Sequence, residues 1–314
     1  MGNRVVSEKL FSLFKRYRPN KFVFVKPGGN YGDELIYKGA EKLALLAGLD
    51  FTSLTHEEFL KSVLPKDTVI YIHGGGGFVT WWSGSPEEIL VKAVSTPGSI
   101  VISGPQTFWD NRPYLSNLTN KVKKANKARQ LFIFTRERAS YEAIKDGFSS
   151  TDIHVEHDHD TAFNLESPDL VIGQEAEKRY CLFAVRQDRE SPEGQAVKVR
   201  AFALKLDPIN YCQSFHHWVD LHARSRVIIA NRLHSAVLGH ILKIPTILLG
   251  NNYHKNRSVW EYSLESRDIK WIETAVSVKE NYFDEFWSNS YLQRGLRLYY
   301  GIREKDFLKR FAEK

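Results

Sequence analysis

The 314-residue chain has only two cysteines, Cys181 and Cys212, and their spacing matches neither a disulfide framework nor a zinc motif. No apolar run approaches the ~18 residues that a membrane-spanning helix requires. Charged side chains near the start, among them Glu8 and Lys15, interrupt any signal-peptide core. We therefore expect two buried, reduced thiols and a globular protein of the cytoplasm.

Acidic side chains are outnumbered, since 44 lysines and arginines against 37 aspartates and glutamates give a net charge of +7. A basic chain suits nucleic acid, anionic lipid or small anionic substrates. It has no nucleic-acid-binding motif and no long basic block, so we expect no nucleic-acid partner. The basic amphipathic segment 5–18 either packs on the body of the protein or lies on a membrane surface, and segment 294–310 leaves the same choice open.

Short apolar runs alternate with amphipathic segments, which is the pattern of a parallel, doubly wound α/β sheet. The predicted strands are 22–25, 69–72, 100–102 and 132–134 in a first series, and 180–185, 227–230 and 245–249 in a second. A polar passage between the two series predicts a domain boundary near residue 170. We expect an N-terminal domain over 1–170 and a C-terminal domain over 171–314, with C-terminal helices that could fold back on the first.

Two glycine-rich segments follow strands of the first series. Segment 28–33 closes the first strand and opens a helix, yet it has neither the dinucleotide fingerprint nor a P-loop lysine. Asp33 within it either caps the helix or takes part in binding. Glycines 74–77 follow the next strand, and so costly a run predicts the close approach of a substrate or of another loop. Trp81 after them either stacks on a sugar or packs in the core.

Asn231, Arg232, Leu233 and His234 lie between a predicted strand and a predicted helix. Open α/β sheets bind ligands at the carboxyl ends of their strands, and a helix start offers free backbone N–H groups. An arginine and a histidine at this position predict a small-anion site with a titratable imidazole beside it. Arg136 ends another strand at the same predicted edge and is either a solvated surface residue or part of this site.

The segment 154–160 is rich in histidine and aspartate. Its residues are crowded into one strand and turn and lack the helical His-x-x-x-His spacing, so we favour a polar edge between the domains over a metal site. The adjacent His216 and His217 are interpreted as structural. No metal site is predicted.

In this order, the motifs resemble the polysaccharide pyruvyltransferase family over residues 22–272. The matching segments are 29–33, 74–76, 104–106, Arg136-Glu137-x-x-Ser140, Asp160-x-Ala162-Phe163, Arg186-x-Asp188-x-Glu190, Arg232-Leu233-His234, and Pro245-Thr246-Ile247 running to Lys255. The chain departs from the family at two framing positions. Asn231 stands where an acidic residue is common, and Thr161 stands where a proline is common.

The resemblance implies two Rossmann-like domains with parallel sheets in a GT-B-like arrangement. It implies an enzyme that transfers the enolpyruvyl group of phosphoenolpyruvate to a hexose of an exopolysaccharide or cell-surface glycan precursor, giving a cyclic pyruvate ketal. No metal or organic cofactor is expected. Two arginines suit the phosphate and carboxylate of this donor, and one histidine of near-neutral pKa can act as acid and then as base.

The expected site has three groups of residues. The groups are His234, Arg232 and Arg136 for catalysis; Asn30, Asp33, Gly75, Gly76 and Leu233 for the donor; and Trp81, Asn252 and Lys255 for the acceptor, across the interdomain cleft. A lipid-linked acceptor would bring the basic segments into weak contact with the inner membrane face. Two other classes stay open: a GT-B-like glycosyltransferase that uses a nucleotide sugar, and a non-catalytic glycan-binding protein.

Overall fold

The computed structural model describes residues 5–80, 84–109, 111–170, 176–191 and 203–273. These residues form two units: the first runs to residue 170 and takes up Tyr253–Leu264 again, and the second holds the remainder. The sequence-based division assigned Tyr253–Leu264 to the second domain, whereas the structure places it in the first. This return contains no strand, so the apolar periodicity does not mark it. The predicted C-terminal helices lie outside the described residues.

The first unit is built on a parallel sheet of seven described strands. The strands are β1 (Phe22–Lys26), β2 (Phe51–Thr55), β3 (Val69–Ile72), β4 (Gly75–Phe78), β5 (Ile100–Phe108), β6 (Gln130–Thr135) and β7 (Ile153–His157). Their order is β2-β1-β3-β5-β6-β7, and β4 pairs with β5. The helices are α1 (Glu8–Tyr17), α2 (Tyr31–Leu46), α3 (His56–Lys61), α4 (Ser85–Val94), α5 (Arg112–Ala125), α6 (Arg138–Ile144) and, on the returning segment, α10 (Lys255–Val259).

Helices cover both faces of this sheet, which explains why its central strands are continuous apolar runs. Alternate residues of β1 serve opposite cores. Phe22 and Phe24 pack with residues of α1 and α2, whereas Val23 and Val25 pack with residues of α3, α4 and α5. The apolar runs of the sequence are therefore the strands buried between two helical layers.

The second unit has a parallel sheet of five described strands. The strands are β8 (Tyr180–Ala184), β9 (Ala203–Leu206), β10 (Ser225–Ala230), β11 (Thr246–Leu249) and β12 (Lys270–Ile272), in the order β12-β11-β10-β8-β9. The helices of this unit are α7 (Pro208–Tyr211), α8 (Phe215–Ala223) and α9 (Leu233–Ile241). The prediction of two Rossmann-like domains with parallel sheets is confirmed, and the GT-B-like arrangement stays a prediction.

Both sheets follow the same strand order once β4 is set aside. In each, the second strand lies at an edge beside the first, and the third strand lies on the other side of the first. A doubly wound sheet of this order has a switch point between its first and third strands, where a crevice opens at their carboxyl ends. The switch points lie between β1 and β3 and between β8 and β10. The loops that bound them carry the glycine segments, Arg186 and Arg232.

The sequence-based bounds were wrong for β5, and the sequence did not predict β4 at all. The sequence suggested that this strand, β5, ends at the segment 103–106. In the structure, β5 continues through Gly104 and Pro105 to Phe108. A proline lacks the N–H group that a sheet needs, but the register of β5 against β6 shifts between Ser103 and Gln106, and this irregularity accommodates it. Three of the four residues of β4 are glycines, so its sequence lacks the alternation of apolar and polar side chains that would predict a strand.

The basic amphipathic segment near the N-terminus forms α1, and its apolar face is already occupied. Leu10, Leu13 and Phe14 are buried in the core of the first unit, while Lys9 and Lys15 lie on the exposed side. Of the two alternatives, packing on the body is therefore the one observed. None of the helices in the described part of the chain combines the length and apolarity that crossing a bilayer requires.

Asp158, directly after β7, anchors the N-terminus of α1. Its Oδ2 atom accepts a hydrogen bond from the backbone N–H of Leu10 at 2.8 Å, and its Oδ1 atom accepts one from His159 at 2.8 Å. Burial raises the pKa of Asp158 to about 6, although these hydrogen bonds work in the opposite direction. The carboxylate therefore satisfies a helix end at a desolvation cost.

Replacing Asp158 should change how stability depends on pH. Because its pKa is higher in the folded state than the unfolded value of 3.8, its contribution is full below pH 4 and is lost as the pH rises towards 6. Over this window the free energy of unfolding of the wild type should fall relative to that of Asp158→Asn, by up to about 3 kcal/mol. Urea unfolding at pH 4.5 and pH 7 measures this, and parallel pH profiles would show that Asp158 titrates normally.

Candidate active site

The glycine run 74–77 is crowded by neighbouring chain. A Cβ atom at Gly74 would lie 2.5 Å from the carbonyl oxygen of Pro105, and one at Gly77 would lie 2.6 Å from the ring of Pro86. Gly75 pairs with Gln106 of β5. Close approach of neighbouring chain therefore explains Gly74 and Gly77, although the chain that approaches is the strand β5 and the helix α4 and not the loop that the sequence suggested.

Two cationic side chains lie near Gly76. A Cβ atom at this position would lie 3.2 Å from Nη2 of Arg136 and 3.8 Å from Nζ of Lys255. A Cβ atom at Gly75 would instead lie 3.5 Å from Oδ1 of Asp33 and 3.8 Å from Oε1 of Gln106. Successive residues of a strand face opposite sides, so β4 separates a basic side from a side lined by carboxylate and amide oxygens.

Arg136 is a buried residue with a fixed direction. Its side chain is 1% exposed, its Nη1 atom donates to Oδ2 of Asp160 at 2.7 Å, and its Nε atom donates to Oγ1 of Thr107 at 2.9 Å. Asp160 is fully buried and also accepts from the backbone N–H of Ala162 at 2.9 Å. The solvated-surface alternative for Arg136 is thus excluded, and its Nη2 atom is held towards Gly76.

Glu137, the next residue, faces a histidine of the returning segment. Its buried carboxylate caps α6 by accepting from the backbone N–H of Ser140 at 2.7 Å and from the Ser140 hydroxyl. Nε2 of His254 lies 3.7 Å from Oε1 of Glu137. Burial works to raise the pKa of Glu137, but His254 and the hydrogen bonds from Ser140 hold it below its usual value. Glu137 is therefore ionised near neutral pH.

Asn30 and Asp33 form a capping box at the start of α2. Oδ1 of Asn30 accepts from the backbone N–H of Gly32 at 2.8 Å, and Oδ2 of Asp33 accepts from the backbone N–H of Asn30 at 2.8 Å. Gly29 has φ of +130°, and a Cβ atom there would lie 2.3 Å from the Asp33 carboxylate. Asp33 is therefore a helix cap whose second oxygen lies towards Gly75, so the capping and binding interpretations are compatible.

The histidines of segment 154–160 pack against aromatic rings. His154 stacks on Phe132 at 4.9 Å between ring centroids, and His157 and His159 stack on Tyr262 at 3.9 Å and 4.5 Å. Nδ1 of His159 lies 2.8 Å from the hydroxyl of Ser263. Among the described residues, no group of three or more histidine, cysteine, aspartate or glutamate side chains is placed to hold a metal ion. These stacks tie the returning segment to the end of β7.

Arg232 of the second unit is held by two carboxylates. Its Nε and Nη2 atoms donate to Asp207 at 2.5 Å and 2.6 Å, and Nη2 also donates to Asp188 at 3.1 Å. The N–H edge of the guanidinium formed by Nε and Nη2, which was expected to bind the donor, is thus occupied by protein carboxylates. Within the described part of the chain, Nη1 of Arg232 is the nitrogen of this guanidinium for which no such partner is found. A ligand would meet one fixed N–H edge and not the full fork.

A polar network joins the two loops at this switch point. Arg186 donates to both oxygens of Asp188, at 2.8 Å and 2.9 Å, and its backbone N–H donates to Oδ1 of Asn231 at 2.7 Å. Burial works to raise the pKa of Asp188, but Arg186 and Arg232 hold it below its usual value. Asn231, which replaces a common acidic residue, therefore links the turn after β10 to the turn after β8.

Leu233 and His234 open α9, whose N-terminus has no side-chain cap. Leu233 is buried and His234 is half-buried. Behind them, His222 of α8 contacts the hydroxyl of Ser235 through Nε2 at 2.9 Å and the carbonyl of Trp218 through Nδ1 at 2.7 Å. Burial lowers the pKa of His222 to about 4, so this histidine is neutral and structural. It fixes the helix that presents His234.

The structure regroups the predicted acceptor residues. Lys255 lies in the first unit with Arg136, and Asn252 lies in the second, where it donates to the carbonyl of Arg189 at 2.6 Å. Trp81 lies outside the described residues. The sequence-based site omitted Asp207 and His254. Asp207 follows a strand and precedes a proline that opens α7, a helix-start signal that could have identified it, whereas nothing in the sequence singles out His254.

Fold and side chains together define a class of protein. The protein has two doubly wound parallel sheets. In the first unit, Arg136 and Lys255 converge on Gly76, an arrangement that suits an anion. In the second, the fixed Arg232 precedes the half-buried His234 at the start of α9. The chain belongs to the polysaccharide pyruvyl transferase family, which it matches over residues 30–253. It is therefore a transferase with a pyruvyl-transfer role on polysaccharide, as the resemblance implied.

The chain is also similar to two named proteins and, in its fold, to one solved structure. The chain is 24% identical to Pyruvyl transferase 1 of Schizosaccharomyces pombe over 306 residues, covering 79% of this chain and 73% of that protein. It is 23% identical to General stress protein 30 of Bacillus subtilis over 274 residues, covering 78% of each chain. Its fold is similar to a functionally uncharacterized protein of Klebsiella pneumoniae, with a TM-score of 0.66, 20% identity, and coverage of 87% of this chain and all of that one.

Arg232→Lys should weaken the second unit itself. A lysine cannot donate to both oxygens of the buried Asp207, and an incompletely paired buried carboxylate typically costs about 3–5 kcal/mol. Chemical unfolding should therefore show a loss of a few kcal/mol. The matched control is Arg129→Lys, which alters an exposed pair with Asp67 at 3.2 Å and should change stability by less than about 1 kcal/mol. Equal effects of the two substitutions would contradict this account of Arg232.

Proposed function

We propose that the pyruvyl donor is phosphoenolpyruvate and that the acceptor is a hexose of an exopolysaccharide or cell-surface glycan precursor. One observation carries the donor assignment: Nη2 of Arg136 and Nζ of Lys255 converge on Gly76, which has no side chain. A phosphate group has several acceptor oxygens and can take hydrogen bonds from both cations at once. Lys255, predicted for the acceptor, is therefore reassigned to the donor phosphate.

Asp33 is reassigned in the opposite sense. Its Oδ1 atom and Oε1 of Gln106 lie on the other side of β4 from the basic pair. A carboxylate oxygen repels phosphate and accepts hydrogen bonds from hydroxyl groups, so this side suits a sugar. Asn30 supports Asp33 through the capping box. Trp81 and Asn252 remain proposed acceptor residues, by sugar stacking and hydrogen bonding.

We assign proton transfer to His234 and orientation of the donor to Arg232 and the N-terminus of α9. In the first half of the reaction a sugar hydroxyl bonds to C2 of phosphoenolpyruvate and loses its proton, while C3 gains one. In the second half the C2–O bond to phosphate breaks and a second hydroxyl closes the ketal ring. His234 can accept the first proton and deliver one to C3, which leaves it unchanged overall. The electron pair of the broken C2–O bond stays on the phosphate, and the proton of the second hydroxyl leaves with it, so the reaction balances without a metal or an organic cofactor.

We propose a cytoplasmic reaction because phosphoenolpyruvate is a small anionic metabolite of the cell interior. If the acceptor is lipid-linked, the exposed Lys9, Lys15 and Arg16 of α1 supply a charge-based attraction to an anionic membrane face. The apolar side of α1 is buried, so this attraction would not involve insertion and would weaken at high salt.

Thermal shift distinguishes the donor from its main rival. Phosphoenolpyruvate at 100 times its Kd should stabilise the protein by about 2.7 kcal/mol, and a nucleotide sugar should not. Stabilisation by nucleotide sugars alone would favour the glycosyltransferase alternative. Glycan binding without any response to phosphoenolpyruvate would favour a non-catalytic glycan-binding protein.

Gly76→Ala should remove donor binding without unfolding the protein. Its methyl group would lie 3.2 Å from Nη2 of Arg136, which Asp160 and Thr107 prevent from moving aside. Calorimetric titration should show affinity for phosphoenolpyruvate at least 10-fold lower, with the Tm within a few degrees of the wild type.

Gly74→Ala is the contrasting variant. Its methyl group would lie 2.5 Å from a backbone carbonyl oxygen, so this variant should lose stability first. Unchanged donor affinity in a folded Gly76→Ala protein would contradict the phosphate assignment.

A further inference from the structure

Two pairs of consecutive residues meet side by side in the first unit. Arg136 and Glu137 follow β6, and His254 and Lys255 begin the turn of α10. Arg136 and Lys255 converge on Gly76, while Nε2 of His254 lies 3.7 Å from Oε1 of Glu137. Arg136 and Glu137 are neighbours in one segment, and His254 and Lys255 are neighbours in the other. Because consecutive Cα atoms are only about 3.8 Å apart, the carboxylate–histidine pair lies next to the basic pair.

The carboxylate of this pair is suited to hold an imidazolium ion. Glu137 is fully buried, its oxygens are fixed by Ser140, and its pKa is held below the usual value. The His254 side chain is 22% exposed, yet its Nε2 atom is buried. The exposed fraction therefore belongs to side-chain atoms other than the Nε2 atom that faces Glu137. At 3.7 Å the two groups are too far apart for a hydrogen bond, but the carboxylate is close enough to attract a positive charge on the ring during proton transfer.

The proposed reaction has two proton exchanges and, so far, one group to perform them. The addition half takes a proton from the first hydroxyl and gives one to C3, which His234 can serve alone. The closure half gives a proton to the departing phosphate and takes one from the second hydroxyl. No residue has been assigned to this second exchange.

We propose that His254, which lies beside the Glu137 carboxylate, performs the second exchange. This inference rests on the proposed donor and on its phosphate lying at the Arg136–Lys255 pair. As the C2–O bond breaks, its electron pair stays on the phosphate oxygen, which takes the proton of the His254 imidazolium. The neutral His254 then accepts the proton of the second hydroxyl as its oxygen bonds to C2. The histidine ends in its starting state, and one proton leaves with the phosphate.

Deuterium exchange separates the two halves experimentally. The protein is incubated in heavy water with phosphoenolpyruvate and the methyl hexopyranoside that gives the most ketal. Deuterium at C3 of recovered phosphoenolpyruvate reports reversible addition, and phosphate release reports closure. His254→Gln should release phosphate about 100-fold more slowly while exchange at C3 continues. Glu137→Gln should change the ratio in the same direction by a smaller factor. His234→Gln should lose both signals.

The matched control is His56→Gln. His56 also pairs with a carboxylate, Glu88 at 3.0 Å, and its side chain is 25% exposed, but it belongs to α3 and has no part in the proposed reaction. This variant should keep both signals. Loss of exchange and release together in His254→Gln, with a raised KM for the donor, would reduce His254 to a support for Lys255. Unchanged release would remove it from the reaction. No ketal with any methyl hexopyranoside, together with no thermal stabilisation by phosphoenolpyruvate, would instead overturn the donor assignment itself.

Discussion

The first unit depends on one buried ion pair, between Arg136 and Asp160. The two side chains are 1% and 0% exposed and are joined at 2.7 Å. A guanidinium can be buried in this way only because a carboxylate neutralises it, and removing either partner would leave an uncompensated charge. The pair also fixes the direction of Nη2 towards Gly76, and Asp160 starts the turn at Ala162. The Arg136–Asp160 contact therefore both stabilises the fold of the first unit and sets the direction of a side chain of the candidate site.

The second unit uses the same arrangement at its own switch point. Asp207 holds Arg232 through two hydrogen bonds, and Asp188 is shared between Arg232 and Arg186. In both units buried carboxylates fix the direction of the arginine side chain, so that a ligand of the proposed site would meet nitrogens whose positions are already set. Such preorganisation avoids reorganisation during the reaction, although the carboxylates lower the net positive charge. Lys255 in the first unit compensates for part of that loss.

Local patterns in the sequence predicted the elements that local chemistry determines. Apolar runs identified the buried strands β1, β3, β6, β8, β10 and β11. Because Arg136 and Arg232 directly follow such strands, the sequence placed each at the carboxyl edge of its sheet. The glycines of β4 have no side chains from which to read a period. The edge strand β2 is half polar, and β12 has only three residues.

Long-range pairing could not be predicted in the same way. Glu137 meets His254 across more than one hundred residues, and Asp207 meets Arg232 across 25. Neither partner carries a local signal for the other, because each contact is created by the folding of separate strands. The capping interpretation of Asp33 and the binding interpretation were both reasonable, since the two oxygens of one carboxylate have different neighbours.

The most direct measurement of the central claim is a crystal structure with phosphoenolpyruvate or an unreactive analogue bound. Phosphate oxygens should lie within hydrogen-bonding distance of Nη2 of Arg136 and Nζ of Lys255, beside Gly76. An ordered donor that contacts neither cation, in a protein that still transfers pyruvate, would contradict it.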